Sequence, residues 1–272
     1  MLSALDVGYR LLVAAQQGFS RAESQQISRS PTMSRSLYTP IADPLLTLIV
    51  PVYNEENYLD ELMDRLLALE VRTEILLVDD GSKDASAEIA QRWAQSRDNV
   101  QLIQHEVNQG KGAAVRTGIA ASTGDVVAIQ DADLEYDPAN VPQLIRPIVD
   151  GHADVVYGSR LSGGEPQRVH LFWHMLGNRF LSLLTGVLFN TTISDMETGY
   201  KAFRGELIRS IPLRSNDFRI EPEITAKLCK RDLRIYELPI AYYGRTFAEG
   251  KKITWRDGFG AIGALFRFRF SD

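Results

Sequence analysis

Short apolar runs alternate with segments of helix length from Leu46 onward. The runs are apolar almost throughout, as in strands that helices cover on both faces. Regular alternation of such strands with helices is typical of a mostly parallel α/β sheet. Five strands are predicted in this way: TLIVPVY, EILLVDD, VQLIQHE, DVVAIQD and ADVVYGS.

The pattern changes beyond Arg160. An aromatic helix (HLFWHMLGNRFLSLLTGVLF), a second helix (EPEITAKLCKR), a strand-like IYELPIAYYGR and a last helix (WRDGFGAIGALFRFRF) follow, without a linker that would separate a second domain. We therefore expect one domain over residues 46–272. Residues 1–45 form an N-terminal extension with a Ser/Arg/Gln-rich tract that we expect to be partly flexible.

No stretch reaches the roughly 18 uninterrupted apolar residues of a membrane span. The two apolar helices are nevertheless rich in Phe and Leu, and the last one mixes Phe with Arg as interfacial helices do. Core packing explains such helices equally well at this stage. We keep both interpretations open.

Charge divides the chain into two halves. Residues 1–150 hold 12 Lys+Arg and 22 Asp+Glu, whereas residues 151–272 hold 18 and 13. The total of -5 argues against a general nucleic-acid binder. An acidic half suits metal ions and a basic half suits phosphates or an anionic membrane, although scattered solubilising charge is an alternative. The single cysteine, Cys229, can form neither an internal disulfide nor a zinc cluster.

Acidic clusters follow the first, second and fourth predicted strands, in PVYNEE, VDDGS and DADLE. Ligands of an open parallel sheet bind at the carboxyl ends of its strands. Asp131 and Asp133 are spaced so that both carboxylates can face one hard divalent ion. The same letters also occur in loops that an aspartate caps, so the pair alone does not establish a metal site.

The stretch NQGKGAAVRTG places glycines around Lys111 at a loop-to-helix junction. Exposed N–H groups and the helix dipole favour an anion at such a place. It matches neither the P-loop nor the dinucleotide motif. A simple turn before a helix remains the alternative.

Together these segments resemble the inverting glycosyltransferases of family 2, which have the GT-A fold, and within them the polyprenyl-phosphate sugar synthases. The resemblance covers about Leu46 to Phe270. Its motifs stand in family order: PVYNE, VDDGS, NQGKGAAVRTG, DADLE, GSR, GNRF, DMETGYKAFR and GRTFAEGKKITW. A single motif would be weak, whereas eight in order are specific.

The resemblance implies roles for individual residues. Those expected to hold the nucleotide sugar are Pro51, Tyr53, Glu55, Val78, Asp80, Lys111, Asp131, Ala132, Arg245 and Lys251. Asp131 and Asp133 would bind Mg or Mn, and whether Glu135 is a third ligand is open. Strand-end turns and helix capping are the structural alternatives.

Further catalytic roles are implied for Asp133, Arg160, Arg179, Asp195 and Lys201. The two arginines would face phosphate, and Asp195 and Lys201 would lie at the acceptor site. A phosphate acceptor is already anionic and needs positioning rather than a strong base, so Asp195 would orient a cation. Ordinary salt bridges and caps are the alternatives.

The implied activity is metal-dependent transfer of a hexose from a nucleotide diphosphate sugar to a polyprenyl or dolichyl phosphate. GDP-mannose is the first choice of donor and UDP-glucose the second. We expect a cytoplasmic protein, peripheral on the inner face of the membrane. A nucleotide-sugar-binding protein without catalysis is the non-enzymatic alternative. A nucleotidyltransferase is disfavoured because PVYNEE is acidic where that class has a basic, glycine-rich signature.

Overall fold

A computed structural model describes residues 39–168, 172–245 and 255–271. In this part of the chain, seven strands form one sheet in the order β3-β2-β1-β4-β6-β5-β7. Their bounds are β1 Leu46–Val52, β2 Thr73–Asp79, β3 Val100–Gln104, β4 Val126–Ile129, β5 Val155–Ser159, β6 Lys201–Arg204 and β7 Ile235–Pro239. The five strands predicted from apolar runs are confirmed.

The helices alternate with the strands as the sequence pattern predicts. They are α1 Leu59–Leu67, α2 Ser86–Ser96, α3 Lys111–Ala121, α4 Val141–Val149, α5 Phe172–Phe189, α6 Gly205–Arg209, α7 Ile220–Cys229 and α8 Trp255–Phe270. A short 3-10 helix, Pro138–Asn140, precedes α4. In the described part, no helix is long and apolar enough to cross a bilayer.

The core lies on both faces of the sheet. Leu48 and Val50 pack with α1 and α4 on one side, whereas Ile49 packs with α3, α7 and α8 on the other. Successive side chains of a strand point to opposite faces, so a run that is apolar throughout is buried on both faces of the sheet. Burial of each such side chain contributes about 1.5–3 kcal/mol, and this favours the α/β layers predicted from the sequence.

Strand β6 was not predicted from the sequence. It is only four residues long and runs antiparallel to β4 and β5, in an otherwise parallel sheet. Both its ends are charged residues, and each is buried against an acid: Lys201 against Glu221 and Arg204 against Asp154. These charges conceal the strand in a hydropathy pattern.

The described end of the N-terminal extension contacts the domain. The Ile41 N–H donates to Val149 O at 2.8 Å, and the Leu45 N–H donates to Asp125 Oδ2 at 2.9 Å. The other 38 residues of the extension lie outside the described residues. The boundary at residue 46 therefore stays a prediction.

Candidate active site

A cleft of about 600 Å³ lies where β1, β2 and β4 end. Seven acidic and three basic side chains line it: Glu55, Asp80, Asp131, Asp133, Glu135, Glu197 and Glu221 with Lys111, Arg160 and Arg245. Pro51, Tyr53 and Ala132 also lie in its lining. The predicted meeting of three acidic strand ends is therefore present in the structure, and the cleft carries an excess of negative charge.

Asp131 is held by a lysine from the neighbouring helix. Lys111 Nζ lies 2.8 Å from Asp131 Oδ1 and 3.6 Å from Glu221 Oε1. The charges of these two acids raise the lysine pKa against the opposing effect of burial, so the ammonium stays charged. A Cβ at Gly199 would lie 2.6 Å from Asp131 Oδ2 and 2.9 Å from Lys111 Nζ. A larger residue at this position, just before β6, would therefore displace at least one of these two side chains.

Arg245 forms the second link between acid and base. Its guanidinium lies 3.1 Å from Glu55 Oε2 and 3.0 Å from Asp133 Oδ2. These two carboxylates hold the guanidinium inside the cleft, and its role in binding the nucleotide sugar stays a prediction. Lys251, predicted to act with it, lies outside the described residues.

The residues present fit a hard divalent cation. Burial, together with the charges of Asp131 and Glu135, raises the pKa of Asp133 to about 7. A divalent ion would stabilise the ionised form of this carboxyl group and lower its pKa. Carboxylate oxygens are also ligands that Mg and Mn accept. In the described part, no three potential ligands already converge on one point.

Glu135 accepts a hydrogen bond at each carboxylate oxygen. One oxygen accepts from Tyr242 OH at 2.7 Å, and the other accepts from the Arg245 N–H at 2.7 Å. Both oxygens thus fix the strand-like segment that follows β7 and position Arg245. Whether Glu135 is also a third metal ligand stays open.

Asp80 binds the backbone immediately before α3, next to the predicted anion site. Asp80 accepts from the N–H groups of Gln109 and Gly110 at 2.9 and 2.7 Å. The His105 ring contacts the same carboxylate at 2.7 Å through Nδ1. Gly110 has φ +101°, and a Cβ there would lie 2.4 Å from Asn216 O, so the turn requires glycine. These N–H groups are engaged by Asp80 rather than directed at a ligand phosphate.

Val78 lies inside β2, one residue before the strand ends, and is not a residue of the cleft lining. Its side chain is fully buried and packs with Ala114 and Ile49. Its assignment to the nucleotide stays a prediction.

Arg160 and Asp195 form a two-point ion pair at the wall of the cleft. Arg160 donates from Nε and Nη2 to the two carboxylate oxygens, each at 2.7 Å, and its backbone N–H donates at 2.9 Å. Asp195 is fully buried, and the guanidinium lies over the Tyr242 ring at 5.2 Å. The charge of Asp195 raises the arginine pKa against the effect of burial. Asp195 therefore orients a cation and has no oxygen without a donor.

Lys201 lies outside the cleft lining, and its expected place at the acceptor site stays a prediction. The side chain is fully buried and donates to Glu221 and to the carbonyls of Met196 and Thr198. It thus braces Glu221 and the turn before β6.

Helix α5 has one edge in the cleft and another in solvent. His174, Gly177, Asn178 and Leu181 line the cleft. The opposite edge exposes an apolar surface that we call the α5 stripe: Phe172, Trp173, Leu176, Phe180, Leu183 and Val187, 45–75% exposed. Arg179 is exposed and lies outside the cleft lining, so its expected contact with a phosphate stays a prediction.

Sequence reasoning missed Glu197, Glu221 and Gly199. Glu197 and Glu221 line the cleft beside the predicted pair, yet they come from the acceptor motif and from the start of α7. Burial, and then the charge of Glu221, raise the pKa of Glu197 to about 7. In the motif DMETGYK, Glu197 and Gly199 stand between the predicted residues Asp195 and Lys201. Their place inside this motif is the signal that could have indicated them.

Comparison with known proteins gives a family. The model of "Glycosyl transferase family 2" matches residues 47–211, which contain the acidic strand ends and Asp195. The GT-A fold is seen in a similar crystal structure, glucosyl-3-phosphoglycerate synthase from Mycobacterium tuberculosis with Mn2+, UDP and glucosyl-3-phosphoglycerate. It has TM-score 0.66 and 19% identity, and the match covers 90% of this chain and 87% of that one.

Several curated relatives are similar in sequence. Dolichol-phosphate mannosyltransferase of Pyrococcus furiosus is 31% identical over 76% of this chain and 58% of its own length. Dodecaprenyl-phosphate galacturonate synthase of Rhizobium johnstonii is 27% identical over 80% and 64%. UDP-N-acetylglucosamine--dolichyl-phosphate N-acetylglucosaminyltransferase of Methanococcus voltae is 30% identical over 74% and 86%. The chain thus spans less than two thirds of the length of the first two.

Proposed function

The chain belongs to glycosyltransferase family 2, and from this premise we propose that it transfers a hexose, with inversion, from a nucleotide diphosphate sugar to a polyprenyl phosphate at a membrane surface. The names of the relatives support a lipid-phosphate acceptor: dolichol phosphate, dodecaprenyl phosphate and dolichyl phosphate. The fold supports a donor cleft at the carboxyl ends of the strands.

The observation that carries the proposal is the double role of α5. Asn178 lines the cleft, whereas Phe180 and Leu183 on the same helix are 52% and 67% exposed. Trp173 belongs to both surfaces, since it lines the cleft and is 75% exposed. An acceptor with a hydrocarbon tail and a phosphate head would use both edges of this helix, whereas a soluble sugar would leave the stripe unexplained.

The donor diphosphate would bind among the paired acids and bases. Lys111 and Arg245 supply positive charge at one side of the cleft, and Asp131 and Asp133 would hold Mg or Mn. When bound, the metal would neutralise the charge of the leaving diphosphate. The cations would then exchange their carboxylate partners for phosphate oxygens, which are also acceptors of charge-assisted hydrogen bonds.

The acceptor oxygen would attack the anomeric carbon of the sugar, and the bond from that carbon to the diphosphate would break. Nucleoside diphosphate leaves with the bonding electron pair. A phosphate oxygen is anionic at neutral pH, so no strong base is required. The pairing of Asp195 with Arg160 supports this scheme, because both oxygens of this carboxylate are engaged while the cation lies at the cleft.

GDP-mannose is our first choice of donor, and UDP-glucose the second. The names of the relatives differ in the sugar: one is a mannosyltransferase, one a galacturonate synthase and one an N-acetylglucosaminyltransferase. Thermal melting with each nucleotide sugar, with and without Mn, ranks the donors because a ligand at 100 times its Kd adds about 2.7 kcal/mol.

The test of the acceptor uses two lipids that differ by one group. The protein receives radiolabelled nucleotide sugar with either polyprenyl phosphate or the matching polyprenol. We expect labelled lipid only with the phosphate. Equal transfer to both would overturn the phosphate acceptor, and transfer only to soluble sugars would overturn the membrane-surface proposal.

A further inference from the structure

A second cavity, separate from the donor cleft, lies between α8 and the loop that precedes α7. Its volume is about 380 Å³. We call it the arginine cavity, and its lining consists of Arg214, Ser215, Asn216, Arg219, Gly260, Gly263, Ala264, Arg267 and Phe268. Among these described residues there are three guanidinium groups and no carboxylate, and one of the three, Arg219, pairs with Asp217 outside the lining. The remaining positive charge on a concave surface suits a phosphate group.

The loop side of the cavity is held rigidly. Both carboxylate oxygens of buried Glu223 accept from the loop backbone, at 2.8 Å from the Arg214 N–H and 2.7 Å from the Ser215 N–H. Arg116 donates to Asn216 Oδ1 at 2.7 Å, which ties the loop to α3. Asp217 holds Arg219 through both its oxygens. A preformed site loses less entropy on binding than a mobile one.

The helix side of the cavity has room that the protein does not use. A Cβ at Gly263 would meet no atom within 4 Å, and a Cβ at Gly260 would meet only the aliphatic stem of Arg219 at 3.6 Å. Glycine inside a helix costs about 1 kcal/mol relative to alanine. The contact at Gly260 has ordinary van der Waals length, so packing requires neither glycine, and the open space at Gly263 leaves the wall free for an external group.

The arginine cavity borders an apolar surface on the same helix. Phe259, Phe266 and Phe270, which we call the α8 stripe, are 67%, 45% and 72% exposed. At 100° per residue they fall within about 40° of one another, and Arg267 follows on the cavity side. Helix α8 also contacts α5, which exposes its own stripe. An arginine at the edge of an apolar face has the position of a residue that meets lipid phosphates.

We propose that the arginine cavity binds the phosphate group of an anionic phospholipid headgroup, next to the α8 stripe in the acyl region. This inference goes beyond sugar transfer, since it concerns neither the donor nor the acceptor. The site would fix the orientation of the protein on the membrane. Its ligand is a membrane component that is not consumed.

The experiment is cosedimentation with vesicles, without nucleotide sugar or polyprenyl phosphate. Phosphatidylcholine vesicles are compared with vesicles that also contain 20 mol% phosphatidylglycerol, and the ratio of the two affinities is the headgroup selectivity. Arg267→Gln is compared with Arg269→Gln, which removes the same charge from the same helix outside the cavity lining. General surface attraction, worth about 1 kcal/mol or about fivefold per arginine, affects both variants equally.

We expect Arg267→Gln to reduce the selectivity at least tenfold and Arg269→Gln to reduce it about fivefold or less. Gly263→Gln fills the cavity without a change of charge, and we expect it to reduce selectivity while it preserves the melting temperature. Equal losses in the two arginine variants would overturn the site.

A separate arm distinguishes lipid from free phosphate. Melting is measured in inorganic phosphate and in chloride of equal ionic strength. A stabilisation by phosphate that Arg267→Gln abolishes, with vesicle selectivity unchanged, would overturn the lipid assignment. Failure of sugar transfer would leave this result unaffected, because the vesicle assay contains no sugar donor.

Discussion

The cleft and the α5–α8 surface differ in which side chains they bury and which they expose to solvent. In the cleft, charged groups are buried and the chain supplies their partners: Lys111 for Asp131, Arg245 for Asp133 and Arg160 for Asp195. On α5 and α8, apolar side chains are exposed, and nine of the twelve strongly exposed large apolar residues in the described part lie there. The cleft has internal charge partners that ligands could replace, whereas the exposed apolar surface has the character of a face that binds a membrane or another protein.

The largest effect on sugar transfer is expected from a substitution in the cleft. Asp133→Ala should lower sugar transfer at least about 1000-fold, because it removes a proposed metal ligand and the anchor of Arg245. The fold should persist, since Arg245 keeps Glu55 and the cleft loses an excess negative charge. Release of nucleoside diphosphate measures the loss, and melting checks the fold. Exposed Asp98→Ala is the control, and wild-type turnover of Asp133→Ala with metal chelated would contradict the assignment.

A second change tests geometry at constant charge. Arg160→Lys should lower kcat/KM about 100-fold, because a lysine cannot replace a planar guanidinium that donates to both oxygens of Asp195. Buried Asp195 would keep one weaker contact, at a cost of about 1–3 kcal/mol in the free energy of unfolding. Kinetics with varied acceptor and a denaturant titration provide both quantities. If stability falls while kcat/KM for the acceptor stays unchanged, Arg160 is only structural.

The strand ends were predictable because they depend on local order along the chain. An apolar run followed by acids predicts that Asp131 and Asp133 lie at the edge of a sheet, and this prediction does not depend on contacts with distant segments. Asp80 directly follows the end of its strand in the same way. The position of the cleft edge therefore follows from short local patterns, and the α/β class follows from their alternation along the chain.

The remaining parts of the site depend on contacts between distant segments. The helical pattern of α5 does not reveal which edge faces the protein, so the exposed position of Arg179 could not be predicted. Lys201 is buried against Glu221, which lies twenty residues later in the chain. The space at Gly199 is limited by Lys111 and Asp131, which come from distant segments. Such constraints appear only when the elements are packed together.

A third prediction breaks the exposed surface while it preserves the cleft. Phe180→Ser with Leu183→Ser should weaken binding to phosphatidylcholine vesicles about thirtyfold, since each half-exposed side chain contributes about 1 kcal/mol on transfer to the acyl region. Melting and nucleotide binding should not change. Val107→Ser is the control, because Val107 is 66% exposed but lies outside both stripes. Equal vesicle binding by the double variant and the wild type would show that the α5 stripe does not contact the membrane.

The smallest expected effect sharpens the comparison within the cleft itself, at Glu197. Its Oε1 is buried and has no hydrogen-bond partner among the described residues, unlike the paired carboxylates of Asp131 and Asp195. Burial and the charge of Glu221 raise its pKa to about 7 from the usual value of 4.5, although Lys201 and Arg160 oppose the shift. The folded protein therefore holds a proton here between pH 4.5 and 7 that the unfolded chain has released.

The sign of the pH dependence follows from that proton. Where the native state binds more protons than the unfolded state, stability falls as pH rises, so this group weakens the fold from about pH 4.5 to above pH 7. Glu197→Gln imitates the protonated form at every pH. We expect equal melting temperatures at pH 5 and a gain at pH 8.5 of about 2–4 °C, equivalent to about 1 kcal/mol after solvent relaxation. Exposed Glu106→Gln should show no such difference between the two pH values. If Glu197→Gln raised the melting temperature equally at both pH values, the carboxyl group would already be ionised at pH 5. The cleft would then stabilise the charge of Glu197 as fully as it stabilises the neighbouring carboxylates.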